Sequence, residues 1–189
     1  MRKTLRELYD LVVVGGGPAG AAAALRASQR EATVLVVEQE KFPRAHVSTE
    51  WLGPAGVNLC KKCGVSVRKA GAAEFKGIRL HSWDLKRSRC VDDAELRGWL
   101  VDRATFDQAL LSEASRAGAE ALLGVVVQDL NLGEERAVLR LSDGRDVAGR
   151  VVLIADGVAS PTGQMANLTC AAQQPDVPQC ASAQCQAGE

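Results

Sequence analysis

Leu11-Val12-Val13-Val14-Gly15-Gly16-Gly17-Pro18-Ala19-Gly20 is an apolar run that passes directly into closely spaced glycines. In a G-x-G-x-x-G turn of this kind, the first glycine, Gly15, permits the tight bend from strand to helix. Gly17 lets the backbone approach a pyrophosphate, and Gly20 lets the helix pack closely on the strand. The alanine-rich residues 21–25 predict that helix. The pattern therefore predicts the first strand, turn and helix of a dinucleotide-binding βαβ unit.

A second apolar run, residues 34–37, ends in Glu38 roughly twenty residues after the glycines, where this unit carries its acidic residue. Pro18 and Ala19 open the helix, whose N-terminal N–H groups and positive dipole end favour an anion. The Glu38 carboxylate suits ribose hydroxyls and repels a 2′-phosphate, so NADP is disfavoured at this site. The residues alone leave FAD and NAD open.

The bulk composition is that of an ordinary globular protein. Of the 189 residues, 47% are hydrophobic and 24% charged, and the formal net charge is zero, which gives no indication of a nucleic-acid partner. Glu7 and Asp10 interrupt the pattern of a secretory signal, and the glycines end the apolar run before membrane-spanning length. We expect a cytoplasmic protein with no membrane-spanning segment and with its six cysteines reduced.

The middle of the chain shows helix and strand patterns in alternation. A short helix is expected after Gly53-Pro54, ending before Gly64, because proline suits a first helical turn and glycine the position after a helix. Alternation over residues 75–83 predicts one strand. A longer helix is expected from Thr105, with Thr105 and Gln108 as a capping box, to Gly118.

The strands that follow predict a small antiparallel meander. Residues 122–130 and 137–141 have strand character, and Asp143-Gly144 is a turn signal. Residues 151–155 form a continuous apolar run, which predicts a strand buried on both faces of a parallel sheet and brings Asp156 to the edge that carries the glycine turn. Residues 161–189 have few large apolar residues and no periodicity, so we expect residues 1–160 to form the domain and 161–189 a disordered tail.

Several segments together resemble one family. They appear in the family's order between Tyr9 and about Ser160, and each is modest alone but specific in combination. The sequence resembles the N-terminal part of the FAD-dependent oxidoreductases that include geranylgeranyl reductases, flavin-dependent halogenases and p-hydroxybenzoate hydroxylase-like enzymes. The matching pieces are Val14 to Gly20, Glu38, Phe42-Pro43-Arg44, Val101-Asp102-Arg103 with Phe106-Asp107 and Leu110, and Ala155-Asp156-Gly157 with Ser160.

The resemblance implies an α/β, Rossmann-like FAD-binding domain with a parallel sheet, and FAD rather than NAD as the cofactor. It places Arg103 near the phosphate-ribityl region, Asp156 in a second nucleotide-contacting motif and Arg44 in a loop beside the cofactor. NAD(P)H is a candidate electron donor for an unidentified small-molecule substrate. The family's substrate-covering sheet and second Gly-Asp motif have no counterpart after Ser160, so we expect a truncated member. No catalytic residue and no metal ligand can be assigned.

Two questions remain open, the role of one cysteine pair and the activity of the whole chain. Cys60 and Cys63 form a C-x-x-C pair, which could be a redox dithiol, but Cys63 stands where the family has an apolar residue, and a structural role is the simpler interpretation. The chain as a whole could instead be a non-catalytic nucleotide-binding remnant or, with Arg103 and Asp156 then unexplained, an NAD-dependent dehydrogenase.

Overall fold

The computed structural model describes residues 5–44, 50–91 and 98–168. These fall into two compact units, the first comprising residues 5–44 and 107–168 and the second residues 50–91 and 98–106. In chain order, the helices and strands are β1 Tyr9–Val14, α1 Pro18–Ser28, β2 Val34–Glu38, β3 Trp51–Leu52, α2 Pro54–Lys62, β4 Ala73–Phe75, β5 Ile78–His81, β6 Ser88–Val91, β7 Gly98–Leu100, α3 Arg103–Arg116, β8 Glu120–Leu123, β9 Val127–Leu132, β10 Ala137–Leu141, β11 Asp146–Ile154 and α4 Pro161–Met165.

The first unit is built on a six-stranded sheet with the order β8-β2-β1-β11-β10-β9. Strands β8, β2, β1 and β11 are parallel neighbours, and β11, β10 and β9 form an antiparallel meander at the other side. Strand β1 is central: Val12 pairs with Leu35 of β2 and with Val152 of β11. The predicted α/β architecture, a parallel sheet with a small meander, is confirmed.

The core of the first unit follows from side-chain alternation along these strands. Val12 and Val14 belong to an apolar cluster with Leu35 and Val37, whereas Val13 lies on the opposite face, close to Gly20 at the start of α1. The remaining fully described members of the cluster come from β1, β8 to β11 and the segment after β8: Tyr9, Leu122, Val125, Val127, Leu130, Ala137, Leu139, Leu141 and Val147. The sheet is therefore fixed in register by buried aliphatic side chains on both faces of β1.

Strand β11 differs from the prediction in length and burial. It runs unbroken from the meander into the parallel sheet, and Val151 is 57% and Leu153 36% exposed, so the expected burial on both faces is wrong. Successive side chains of a strand point to opposite faces, and the face with Val151 and Leu153 is left open by the described residues. The predicted strand over residues 122–130 is divided at Gly124, whose φ of +74° ends β8 before β9 begins.

The second unit carries shorter strands around α2. Strands β3, β7 and β4 form one antiparallel sheet, and β5 pairs with β6 as a hairpin. The predicted helix after Gly53 is confirmed as α2, with Gly64 at φ +77° just beyond it. The single strand expected over residues 75–83 is wrong, because Phe75 pairs with Gly98 in one sheet whereas Ile78 pairs with Val91 in the other.

Two local predictions about helix ends are corrected by hydrogen bonds. Helix α3 begins at Arg103, and Asp102 rather than Thr105 caps it, because the Asp102 carboxylate accepts the N–H groups of Ala104 and Thr105. Hydrogen bonds from Thr105 hold the pKa of Asp102 below its usual value. Within the tail predicted to be disordered, residues 161–165 form α4, because the Ser160 hydroxyl accepts the Gly163 N–H. Residues 169–189 of that tail lie outside the described residues.

Candidate nucleotide-binding site

The glycine turn lies at the carboxyl ends of three parallel strands. The Gly15 N–H donates to the carbonyl oxygen of Val37 at 2.8 Å, and the Ala155 N–H donates to that of Val14 at 2.8 Å. The turn, Glu38 and Asp156 therefore meet at one edge of the sheet, as the sequence predicts. In open α/β sheets, ligands bind in the crevice at this edge.

Two of the three motif glycines are packed against backbone. Gly15 has φ +101°, and a Cβ there would overlap the carbonyl oxygen of Ala155. A Cβ on Gly20 would overlap the carbonyl oxygen of Gly15. By contrast, among the described residues a Cβ on Gly17 would meet only one atom within 4 Å, Nη2 of Arg44, at 3.2 Å. Gly15 and Gly20 therefore serve the packing of turn and helix, and Gly17 faces open space beside a guanidinium group.

Glu38 has a buried carboxylate that lies against the backbone of the glycine turn. Its side chain is 3% exposed, with Oε2 accepting the Gly16 N–H at 2.6 Å and Oε1 accepting the Glu40 N–H at 2.9 Å. These bonds fix the carboxylate where β2 ends. Because each carboxylate oxygen has two lone pairs, one acceptor position on each oxygen is left for a further donor such as a ribose hydroxyl.

Arg44 joins this carboxylate to a second buried acid. Its Nη1 atom lies 3.6 Å from Glu38 Oε1 and 3.8 Å from Glu40 Oε2, and Nη2 lies 3.8 Å from Asp107 Oδ2. The guanidinium also lies over the Phe42 ring, with its carbon 5.2 Å from the ring centroid. The Arg44 side chain is only 11% exposed, and its buried Nε has no hydrogen-bond partner among the described residues. The carboxylates thus attract the guanidinium without forming short hydrogen bonds to it, so its N–H groups remain available to donate to a ligand.

Asp107 is part of a segment that matches the family, but the sequence assigns it no role. Its side chain is 0% exposed, although Asp is rarely buried without a charged or hydrogen-bonding partner. The signal was present in the helical spacing: Asp107 shares one face of α3 with the buried Leu110, Leu111 and Ala114. An acid on an apolar helix face indicates a buried partner, and Arg44 is one such partner of Asp107.

Asp156 follows β11 and connects to the short helix α4. Its Oδ2 atom accepts the Thr162 N–H at 2.9 Å, whereas the buried Oδ1 has no partner among the described residues. Of the other predicted site residues, Pro18 and Ala19 lie in the first turn of α1. Gly17 is the N-cap of this helix, so no capping side chain covers its first N–H groups. Arg103 is the first residue of α3 and belongs to the second unit, so its cofactor role stays a prediction.

The C-x-x-C pair has the environment of core thiols. Cys60 and Cys63 are 6% and 4% exposed at the end of α2. Burial, with a smaller contribution from Cys63, raises the pKa of the Cys60 thiol above its ordinary value. Reactive cysteines have lowered pKa values, so this environment supports the structural interpretation of Cys60.

Fold and site together define a dinucleotide-binding α/β protein, and comparison with known proteins makes the class specific. Residues 10–157 match the family described as FAD dependent oxidoreductase, and the chain belongs to that family. The resemblance found in the sequence is confirmed. Within the part of the chain that the structure describes, no helix has the length and apolar character needed to cross a membrane.

Curated relatives and solved structures agree with this assignment. A digeranylgeranylglycerophospholipid reductase of Methanosarcina mazei is 30% identical over 187 residues, covering 94% of this chain and 44% of that protein. A menaquinone reductase of Mycobacterium tuberculosis is 31% identical over 159 residues, covering 82% and 39%. The structure of a geranylgeranyl bacteriochlorophyll reductase-like protein from Thermoplasma acidophilum superposes with a TM-score of 0.73 at 26% identity, covering 86% and 42%. The chain thus spans less than half the length of these proteins.

Proposed function

We propose that this chain binds FAD at the glycine turn and serves an FAD-dependent oxidoreductase of the geranylgeranyl reductase or flavin monooxygenase type. The observation that carries the proposal is the Arg44 guanidinium beside Gly17, at the N-terminus of α1 and the carboxyl edge of the sheet. The planar, positively charged guanidinium lies next to a glycine backbone that leaves room for a ligand. Its shape and charge are complementary to those of a pyrophosphate.

The pyrophosphate fits the donors that Arg44 offers. Among the described residues, three carboxylates lie 3.6 to 3.8 Å from the guanidinium nitrogens, which is longer than a hydrogen bond, and Nε has no partner. Buried donors are normally satisfied, so an acceptor at this position removes a desolvation cost. The N–H groups of the first turn of α1, at Ala19 and Gly20, are the second source of donors.

The adenosine ribose is assigned to Glu38. Its carboxylate is fixed by the Gly16 and Glu40 N–H groups and has acceptor positions left for hydroxyl groups. The unpartnered Oδ1 of Asp156 is a further acceptor at the same edge of the sheet. From the family resemblance, we propose Arg103 as a contact of the phosphate-ribityl region.

The redox chemistry belongs to the flavin when it is bound, because the isoalloxazine ring accepts hydride or activates oxygen and the protein supplies binding and orientation. Among the two types, we favour a reductase, because the curated relatives are named as reductases of a geranylgeranyl lipid and of menaquinone. NAD(P)H as electron donor and a cytoplasmic location stay predictions.

The purified chain provides the test. A yellow protein that releases flavin into the supernatant on denaturation supports the proposal. If the chain is isolated without flavin, added FAD is expected to raise the melting temperature, since about a hundredfold excess over Kd stabilises by about 2.7 kcal/mol. NAD and riboflavin are the matched ligands, which lack the flavin and the adenosine pyrophosphate respectively. A colourless chain whose melting temperature FAD does not change contradicts the proposal.

A further inference from the structure

The turn of the β5–β6 hairpin exposes large apolar side chains. Trp83 is 96% and Leu85 75% exposed, and Leu80, on the strand leading to the turn, is 58% exposed. Single exposed apolar residues are common on protein surfaces. Three of them between positions 80 and 85 form a local apolar patch, and such patches mark sites of interaction.

Hydrogen bonds within the turn hold it in one shape. The Ser82 hydroxyl accepts the Arg87 N–H at 3.0 Å and donates to Asp84 Oδ1 at 2.6 Å. Asp84 Oδ1 in turn accepts the Lys86 N–H at 3.2 Å, and the Leu85 N–H donates to the Ser82 carbonyl oxygen at 2.9 Å. These hydrogen bonds link the two ends of the turn to each other. The exposed Trp83 and Leu85 side chains therefore extend from a turn whose backbone is held by hydrogen bonds.

Basic side chains surround this tip. Leu80 pairs across the hairpin with Arg89, so apolar and basic residues share one face. Between positions 76 and 91, Asp84 is the only acid, whereas the chain as a whole has a net charge of zero. The basic residues of this segment, all exposed, are Lys76, Arg79, Lys86, Arg87 and Arg89. The hairpin is thus a local concentration of positive charge around an apolar point.

We propose that the hairpin tip, residues 80–89, docks on the surface of an anionic phospholipid bilayer. Trp83 and Leu85 enter the boundary between headgroups and acyl chains, the depth that tryptophan favours. The flanking lysine and arginine side chains lie against lipid phosphates, to which a cluster of basic residues is attracted. This membrane contact is additional to the FAD site and does not depend on it.

The composition of the tip favours a lipid surface over a nucleic acid. Single-stranded nucleic acids are bound by grooves in which bases stack on successive aromatic side chains. Here one aromatic residue, Trp83, is exposed at the turn together with leucines, which offer bases no stacking surface. Leucine and tryptophan both gain from entering a bilayer interface.

Sedimentation of the full chain with vesicles tests the proposal. Vesicles of phosphatidylcholine and phosphatidylglycerol, about 7:3, are expected to bind the chain, and pure phosphatidylcholine vesicles to bind it weakly. Binding should weaken as salt is raised, because salt screens the basic residues. Trp83→Ser with Leu85→Ser is expected to lower the partition coefficient about tenfold or more. The matched control, Val126→Ser with Leu132→Ser, removes two exposed apolar residues elsewhere, 45% and 59% exposed, and should leave binding unchanged.

A second measurement locates the contact without removing the tip. Trp51→Phe with Trp99→Phe leaves Trp83 as the only tryptophan of three. Its emission is expected to shift to the blue with anionic vesicles and to be quenched by brominated lipid. The proposal is overturned if the chain does not bind vesicles, or if binding survives the Trp83 and Leu85 substitutions. An unchanged Trp83 emission spectrum in vesicle-bound protein would also overturn it. So would binding of a single-stranded oligonucleotide through the same residues in the absence of vesicle binding.

Discussion

The two halves of the glycine turn have opposite surroundings. Gly15 and Gly20 form a closed half, where any Cβ would overlap a backbone carbonyl oxygen. Gly17 forms an open half, where the one described atom that a Cβ would meet is at the end of the Arg44 side chain. A backbone contact cannot move aside, but a guanidinium group can. The closed half therefore serves the packing of turn and helix, and the open half is the one we propose for the ligand, so substitutions can separate the two roles.

The largest expected effect comes from the closed half. Gly20→Ala places a methyl group on the Gly15 carbonyl oxygen and forces α1 away from β1, which should lower the free energy of unfolding by about 3 kcal/mol or more. Urea unfolding followed by circular dichroism measures the change. Gly17→Ala is the control from the open half, and it is expected to lower the free energy of unfolding by only about 1 kcal/mol. Equal losses for the two variants would show that the halves do not differ.

The second effect concerns the cation of the open half. Arg44→Lys keeps the positive charge next to Glu38 and Asp107 but removes the planar fork that matches a pyrophosphate. We expect FAD affinity to fall about 10- to 100-fold, the loss of about 1.5–3 kcal/mol typical of hydrogen bonds to charged groups. Isothermal titration calorimetry measures Kd, with Arg150→Lys, at an exposed arginine paired to Asp10, as the control. Unchanged affinity in Arg44→Lys would remove Arg44 from the site.

A smaller effect is expected where Asp107 orients Arg44. Asp107→Asn keeps the shape of the side chain and removes the charge that lies 3.8 Å from the guanidinium. FAD affinity should fall about three- to tenfold because the fork is less firmly held, and the loss should disappear in the Arg44→Lys background. A loss that persists in that background would show that Asp107 acts independently of Arg44. A gain in affinity would show that its negative charge opposes the phosphates.

The smallest effect is a test of reactivity in the second unit. The buried Cys60 has a raised thiol pKa, so its alkylation by iodoacetamide should keep rising with pH beyond the ordinary thiol pKa of about 8.5. The exposed Cys90 provides the comparison within the same chain and should be labelled first. Peptide mapping by mass spectrometry measures both rates. Rapid labelling of Cys60 near neutral pH would restore the redox interpretation of the C-x-x-C pair.

The sequence was most informative where structure is local or repeats a known pattern. The strand before Gly15, helix α1, Glu38 at the end of β2 and the Asp143-Gly144 turn were all predicted, because each depends on neighbouring residues. The position of Asp156 beside the turn was also predicted, because parallel strands bring their carboxyl ends to one edge.

Features that depend on distant partners were missed. Nothing near Phe75 indicates that it pairs with Gly98 while Ile78, a few residues later, pairs with Val91 in another sheet. Arg44 was placed near the cofactor only by resemblance, and its ion pair with Asp107 joins residues far apart in the chain. Charge pairs between separate elements leave no periodic trace in a sequence, although a buried acid on an apolar helix face indicates that a partner exists.

The dissociation constant of FAD for Gly17→Val, measured beside that of the unaltered chain, tests the role of the open half most directly. The measurement is made by titration calorimetry at a temperature where circular dichroism shows both proteins folded. The larger side chain fills the space in front of the turn, so the affinity is expected to fall at least about a hundredfold. Equal dissociation constants for the two folded proteins would contradict the assignment of Gly17 and Arg44 to the pyrophosphate.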